Sequence, residues 1–176
     1  GSVVPVTLLH NNDMHGNLLK GTYVGFTQLA YLAKQEMAKN PDRTLLLNSG
    51  DTIQGDAMSY YFKTAPTGFA ADGTPIPDPA MHIQPTIAAM NALGFDAMTL
   101  GNHEFNFSNA VFTSVLAQGD FAILGAVVSD DGAYGLADVP VEPSIQRAVP
   151  GPIGDIDLAI VGIDNHRIPQ YELPSN

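Results

Sequence analysis

Three apolar runs in this chain each break off into a short cluster of glycine, carboxylate, amide and imidazole. Residues 5–10 (PVTLLH) run into NNDMHGNL, residues 44–48 (TLLLN) into SGDTIQGD, and residues 95–100 (FDAMTL) into GNHEFN. Short apolar runs bounded by turn residues have the pattern of buried strands. Helical patterns lie between them. Residues 25–39 place Phe26, Leu29, Ala30, Ala33 and Met37 at helical spacing before Asn40-Pro41, and residues 84–93 and 109–118 predict two more helices. Residues 121–125 predict a fourth strand. Strands alternating with helices call for a largely parallel sheet covered by helices, an α/β fold.

In such a sheet the strand ends share one edge, and ligands bind in crevices there. Asp13, His15, Asp51, Asn102 and His103, far apart along the chain, are therefore expected to converge. Carboxylates, imidazole and an amide oxygen make a mixed O/N donor set that suits Mn, Fe, Zn or Co. Asp51 falls between the other clusters in chain order, where a carboxylate can bridge two ions about 3.5–4 Å apart. Each cluster alone has a plainer reading: a local turn at Asp13, a helix cap at Asp51, and Glu104 in the first turn of a helix. All three in order, each after a strand, outweigh those readings.

Charge narrows the choice of ligand. Lys and Arg number 7 against 18 Asp and Glu, a net charge of −11. Such a surface repels a nucleic-acid polymer but accepts a small phosphorylated ligand if metal supplies positive charge. There is no cysteine, which removes thiolate nucleophiles, disulfides and Cys-type zinc sites and suits an oxidising compartment. No apolar run approaches the roughly 20 residues that span a bilayer, and no signal-peptide pattern is present.

Elsewhere the expectations are plainer. Residues 64–79, with four prolines and two glycines, read as a surface insertion. Residues 141–149 and 156–163 flank PGPIGD and predict a hairpin of two longer strands, and the tail DNHRIPQYELPSN reads as irregular. His82 is expected at the surface, and His10 as packing or as support behind the Asp13 cluster. Asp155 and Asp157 are expected to bond locally, the residues around MSYYF to fill core, and Asp130-Asp131-Gly132 to turn.

At LLHNNDMHGNL, LLLNSGDTIQGD and AMTLGNHEFNF the chain resembles the calcineurin-like metallophosphoesterases, and within them the 5′-nucleotidase family. The resemblance implies a four-layer αββα catalytic domain with two divalent metal ions. It implies that Asp13 and His15 hold one ion, Asp51 bridges and Asn102 holds the second. His103 would then face the scissile phosphate outside the metal shell, and a metal-activated hydroxide would attack phosphorus. In the 5′-nucleotidase pattern an aspartate follows the histidine by three residues; here it is Asn106, which orients the ring but brings no charge to stabilise imidazolium.

GNHEFN and the tail AIVGIDNHRIPQYELP resemble instead the 2′,3′-cyclic-nucleotide 2′-phosphodiesterase/3′-nucleotidase branch. The expected substrate is then a nucleotide, with 5′-nucleotidase or nucleotide-sugar hydrolase activity as the alternative. The family's further histidines, including a Gly-His-x-His stretch, have no counterpart after His103, and no base-binding domain follows. The 176 residues are thus expected to be the N-terminal portion of a catalytic domain, poorly active or only metal-binding alone, with a C-terminal half supplying the remaining ligands. The resemblance places the protein outside the cytoplasm, secreted, periplasmic or on the cell wall.

Overall fold

The computed structural model of the chain describes residues 3–19, 21, 24–62, 83–130 and 136–171. The expected insertion, His82 and Asp131-Gly132 lie outside the described residues. Five parallel strands stand side by side in chain order: β1 (Thr7–Asn11), β2 (Thr44–Asn48), β3 (Ala97–Thr99), β4 (Ala122–Leu124) and β5 (Val141–Glu142). Thr7 lies opposite Thr44 and Met98 opposite Ile123, so the strand ends are level and their loops rise from one edge.

Helix α1 (Phe26–Met37) opens where the Gln28 side chain accepts from the Gly25 N–H at 3.0 Å. The chain then forms a short helix, α2 (Ala57–Phe62), begun by Asp56 accepting from the Ser59 N–H at 2.7 Å. Helix α3 (Pro85–Leu93) is capped by the Gln84 side chain, which accepts from Thr86 and Ile87 N–H at 2.7 and 3.0 Å. It stops at Gly94, whose φ of 74° is the left-handed turn that ends many helices. Helix α4 (Asn109–Leu116) follows β3.

These helices bury Phe26, Ile87, Met90, Phe112 and Leu116 against Leu46, Met98 and Ile123 of the sheet. Burying each such side chain contributes roughly 1.5–3 kcal/mol.

Residues 141–149 do not make one arm of a hairpin. Pro143 divides them: Val141–Glu142 ends the parallel sheet as β5, while β6 (Ser144–Val149) leaves to pair antiparallel with β7 (Ile156–Val161). Proline has no N–H for a ladder, so the switch between sheets falls there. The β6–β7 pair packs on the face of the parallel sheet away from the helices, where Ile145 and Ile160 meet Leu47, Ala97, Ala122 and Leu124. Helices, parallel sheet and antiparallel pair stack in that order, the α-β-β part of the expected sandwich. The outer face of the pair is exposed at Ala148, Ala159 and Val161.

The tail, expected to be irregular, closes into one turn of helix, α5 (Ile168–Tyr171). The MSYYF residues do not fill core. A two-turn helix turns one face inward, and in α2 that face holds Ser59, leaving Met58, Tyr60 and Tyr61 at the surface.

Candidate metal centre

Past the strand ends the chain keeps pairing. Asp13, His15 and Gly16 donate their N–H groups to the carbonyls of Gly50, Asp51 and Thr52 at 3.1, 2.9 and 3.0 Å. The loop after β1 is thereby stitched to the loop after β2. The third loop follows β3 and forms a 3-10 turn, Asn102–Phe105. Gly50 and Gly101 let the second and third loops touch backbone to backbone: a Cβ on Gly50, at φ 86°, would overlap the Gly101 nitrogen, and one on Gly101 would overlap Asp51.

This frame brings ligand atoms of His15, Asp51 and His103 within 4.8 Å of one another. The His15 and His103 rings meet edge to face, centroids 4.8 Å apart. Asp13 joins from the side, its carboxylate 3.7 Å from His15 Nε2, and its other oxygen accepts from the Asn12 amide. Asn102 begins the 3-10 turn that carries His103. A cleft of about 660 Å³ lies over the cluster, lined by Asp13, His15, Asn17, Gln54, Asp56 and His103.

Both imidazoles are oriented by an acceptor. His15 Nδ1 lies 3.0 Å from the Gln54 carbonyl oxygen, so Nδ1 carries the proton and Nε2 keeps its lone pair. His103 Nδ1 bonds the Asn106 side-chain oxygen, which leaves Nε2 for chemistry in the same way. The Asp51 Oδ1 accepts from the His103 N–H at 2.8 Å, tying the carboxylate to the turn that bears the second imidazole.

The backbone is contorted at these residues. Among the described residues, Asp13, His15 and Asp51 are the non-glycine positions with positive φ, at 51°, 46° and 55°. Left-handed backbone at a residue with a Cβ costs about 1–2 kcal/mol, and such strain gathers at functional sites. An imidazole whose lone pair is directed by a hydrogen bond, at His15, beside the carboxylates of Asp51 and Asp13, is a donor set for a divalent transition metal. The residues present fit such an ion.

Two contributors escaped the sequence reading. One is Gln54, whose backbone oxygen orients His15. The other is Glu104, for which the sequence offers only the plainer reading of a helical first turn; it is fully buried and accepts from backbone N–H groups of both the second and third loops. Burial pushes its carboxyl above the usual range, with the Asp51 charge adding to the rise, while the N–H groups of Thr52, Asp51 and Gly101 pull it down. Beside a separate cavity of about 420 Å³, Asp164 is raised to about 6 by burial and then by the Glu104 charge.

The remaining singled-out residues stay apart from the cluster. His10 pairs with Ser49 Oγ at 2.8 Å, next to the second loop, and His166 is exposed after β7. Asp130 accepts from the Leu136 N–H at 2.8 Å, and Asp155 and Asp157 are exposed.

No protein-family model matches the chain. It is 32% identical over 133 residues to the trifunctional nucleotide phosphoesterase YfkN of Bacillus subtilis, a match covering 71% of this chain and 8% of that protein. It is 28% identical over 139 residues to the 2′,3′-cyclic-nucleotide 2′-phosphodiesterase/3′-nucleotidase of Haemophilus influenzae, covering 74% of this chain and 19% of that one. To human 5′-nucleotidase it is 26% identical over 183 residues, covering 96% and 28%. The crystal structure of the calcineurin-like phosphoesterase YfkN superposes with a TM-score of 0.71 at 24% identity, over 94% of this chain and 50% of that one. The chain thus spans less than a third of the length of these curated relatives. Among the described residues no helix is long and apolar enough to cross a membrane.

Proposed function

Because the homologues and structural neighbours of this chain are 5′-nucleotidases and calcineurin-like phosphoesterases, we propose that it forms the metal-binding part of a phosphohydrolase acting on nucleotides. The preferred substrates in this reading are 2′,3′-cyclic phosphodiesters and 3′-monophosphates. The observation that carries it is the meeting of His15, Asp51 and His103, from three separate strand ends, within 4.8 Å. Asn106 in place of an aspartate supports the cyclic-ester preference. A second reading, hydrolysis of 5′-monophosphates, is supported by the similarity to human 5′-nucleotidase.

Asp13, His15, Asp51 and Asn102 are proposed to hold two divalent cations of the Mn, Zn, Fe or Co type. Bound there, such cations supply positive charge against phosphoryl oxygens and lower the pKa of water. His103, its ring held at Nδ1 by Asn106, is proposed to present Nε2 to the leaving oxygen. Asp51 fixes the backbone of that histidine, and Gln54 directs His15 Nε2 toward the cluster. The curated relatives extend far beyond the matched span, and the reading assigns the remaining ligands and the base-binding part to such further sequence. It also places the protein outside the cytoplasm, secreted or periplasmic, which the lack of cysteine suits.

The test is phosphate release by the parent polypeptide in Mn²⁺, with 2′,3′-cyclic AMP, 3′-AMP and 5′-AMP as substrates. The cyclic ester and the 3′-monophosphate are expected to turn over faster than the 5′-monophosphate. Full turnover by Asp51→Ala or His103→Ala would refute the site.

A further inference from the structure

The cation-facing side chains do not set their own spacing; the backbone beneath them does, and one buried side chain joins its two parts. Glu104 Oε2 accepts from the N–H of Asp51 at 2.8 Å and of Gly101 at 2.7 Å. Its Oε1 accepts from the N–H of Thr52 at 2.7 Å and of Ile53 at 3.3 Å. Three of these donors belong to the loop carrying Asp51 and one to the loop carrying His103. The link is returned by Asp51, whose Oδ1 accepts from the His103 N–H. Glu104, Asp51 and His103 thereby close a ring of hydrogen bonds around the floor of the cluster.

We infer that Glu104 is a positioning residue: it fixes the Asp51 loop against the turn bearing Asn102 and His103 for cation binding without touching the cation. The inference rests on the cation-binding half of the reading above and on none of its substrate chemistry. Both oxygens of Glu104 are engaged by N–H donors and the side chain has no exposure, so it has no atom to offer an ion. Glutamine keeps the size but not the function. Its NH₂ must face either the Asp51 and Gly101 donors or the Thr52 and Ile53 donors, so donor meets donor where a carboxylate oxygen accepted. Aspartate, a methylene shorter, cannot reach both loops.

The sheet supplies a matched control at its opposite edge. Asp96, just before β3, accepts from the Leu46 N–H at 2.9 Å and pairs with Arg147 at 3.4 Å. It braces strands through the same chemistry but away from the cluster.

The experiment is a calorimetric Mn²⁺ titration of the chain, of Glu104→Gln, Glu104→Asp and Asp96→Asn, with the Tm of each in EDTA. Both Glu104 variants are expected to weaken Mn²⁺ binding by about 10–100-fold, the range typical of groups that support metal ligands. Asp96→Asn is expected to lower the Tm and leave the Mn²⁺ Kd where it was. Parent-like binding by Glu104→Gln overturns the inference, as does equal weakening by Asp96→Asn at equal loss of Tm.

Amide exchange of the unmutated chain carries the test if the variants do not fold. Zn²⁺ is expected to slow exchange at Asp51, Thr52 and Gly101 while Leu46 stays unchanged; no selective slowing overturns the inference. A parent chain that binds no Mn²⁺ overturns this inference together with the metal-dependent function. Binding without hydrolysis refutes only the function.

Discussion

Replacing Asp164 by asparagine should stabilise the protein near neutral pH and lose that benefit in acid. Asp164 is 8% exposed, and among the described residues neither carboxyl oxygen has a hydrogen-bond partner. Burial, and then the charge of Glu104, raise its pKa from 3.8 to about 6. The folded protein therefore keeps this proton to higher pH than the unfolded chain does. Between pH 3.8 and about 6 the native state binds more protons, so stability falls as pH rises through that window. At about 1.4 kcal/mol per unit, the penalty above pH 7 is roughly 3 kcal/mol, and at pH 4 it is roughly 0.5 kcal/mol. Asparagine removes the ionisation but leaves a buried amide unpaired, at a cost of about 1–2 kcal/mol at any pH. Asp164→Asn should thus gain roughly 1–2 kcal/mol at pH 7.5 and lose roughly 1 kcal/mol at pH 4. Urea unfolding of both proteins in EDTA at the two pH values measures this, and titrating groups not coupled to Asp164 cancel in the double difference. A difference between the two pH values under about 1 kcal/mol would refute the argument, because the carboxyl would then ionise alike in both states.

Three further outcomes are expected. Asp13→Gly exchanges left-handed strain for unfolded-state entropy, so its stability in EDTA should stay within about 1 kcal/mol of the parent while its stabilisation by Mn²⁺ shrinks; urea titrations with and without metal check both. Asn106→Leu removes the acceptor at His103 Nδ1, so ¹⁵N chemical shifts should show a mixture of ring tautomers where the parent shows one. Gly101→Ala drives a Cβ into Asp51 and should cost about 1–3 kcal/mol in urea unfolding.

Where local pattern and tertiary structure agree, the sequence was legible. The β2 boundaries match residue for residue, because TLLLN is built on three consecutive leucines and ends at a serine-glycine turn. The Asn40-Pro41 stop and the Gly94 turn placed the ends of α1 and α3 to within two residues. The convergence of Asp13, His15, Asp51 and His103 followed from parallel topology alone, since level strands put their loops on one edge. Glu104 was not legible. Its partners at Asp51, Thr52 and Ile53 are 51 to 53 residues away, and a glutamate three positions after a glycine looks the same whether it caps its own turn or braces another loop. The break at Pro143 was visible, but its consequence was not: the proline shows that a ladder must stop, and only the packing of Ile145 under Leu124 shows that the chain changes sheet there.

The left-handed residues separate the demands of folding from those of chemistry. A sequence selected for stability alone would place glycine at residues 13, 15 and 51, where φ is positive, as it does at Gly16, Gly50 and Gly94. The chain instead carries Asp, His and Asp there, and each of them brings a side-chain oxygen or nitrogen to the same few ångströms. Their neighbours Gly16 and Gly50 are glycines at comparable φ, so the local backbone is freely available to a residue without a Cβ. At about 1–2 kcal/mol each, three such positions are a substantial fraction of a typical domain stability of 5–15 kcal/mol. Strain of that size persists only where the surroundings over-determine it. Here the surroundings are identifiable: the loop-to-loop N–H bonds hold Asp13 and His15, and the four N–H groups on Glu104 hold the second loop against the turn bearing His103. On the proposed reading, this hydrogen-bonded floor holds three strained donors in place for a cation before it arrives.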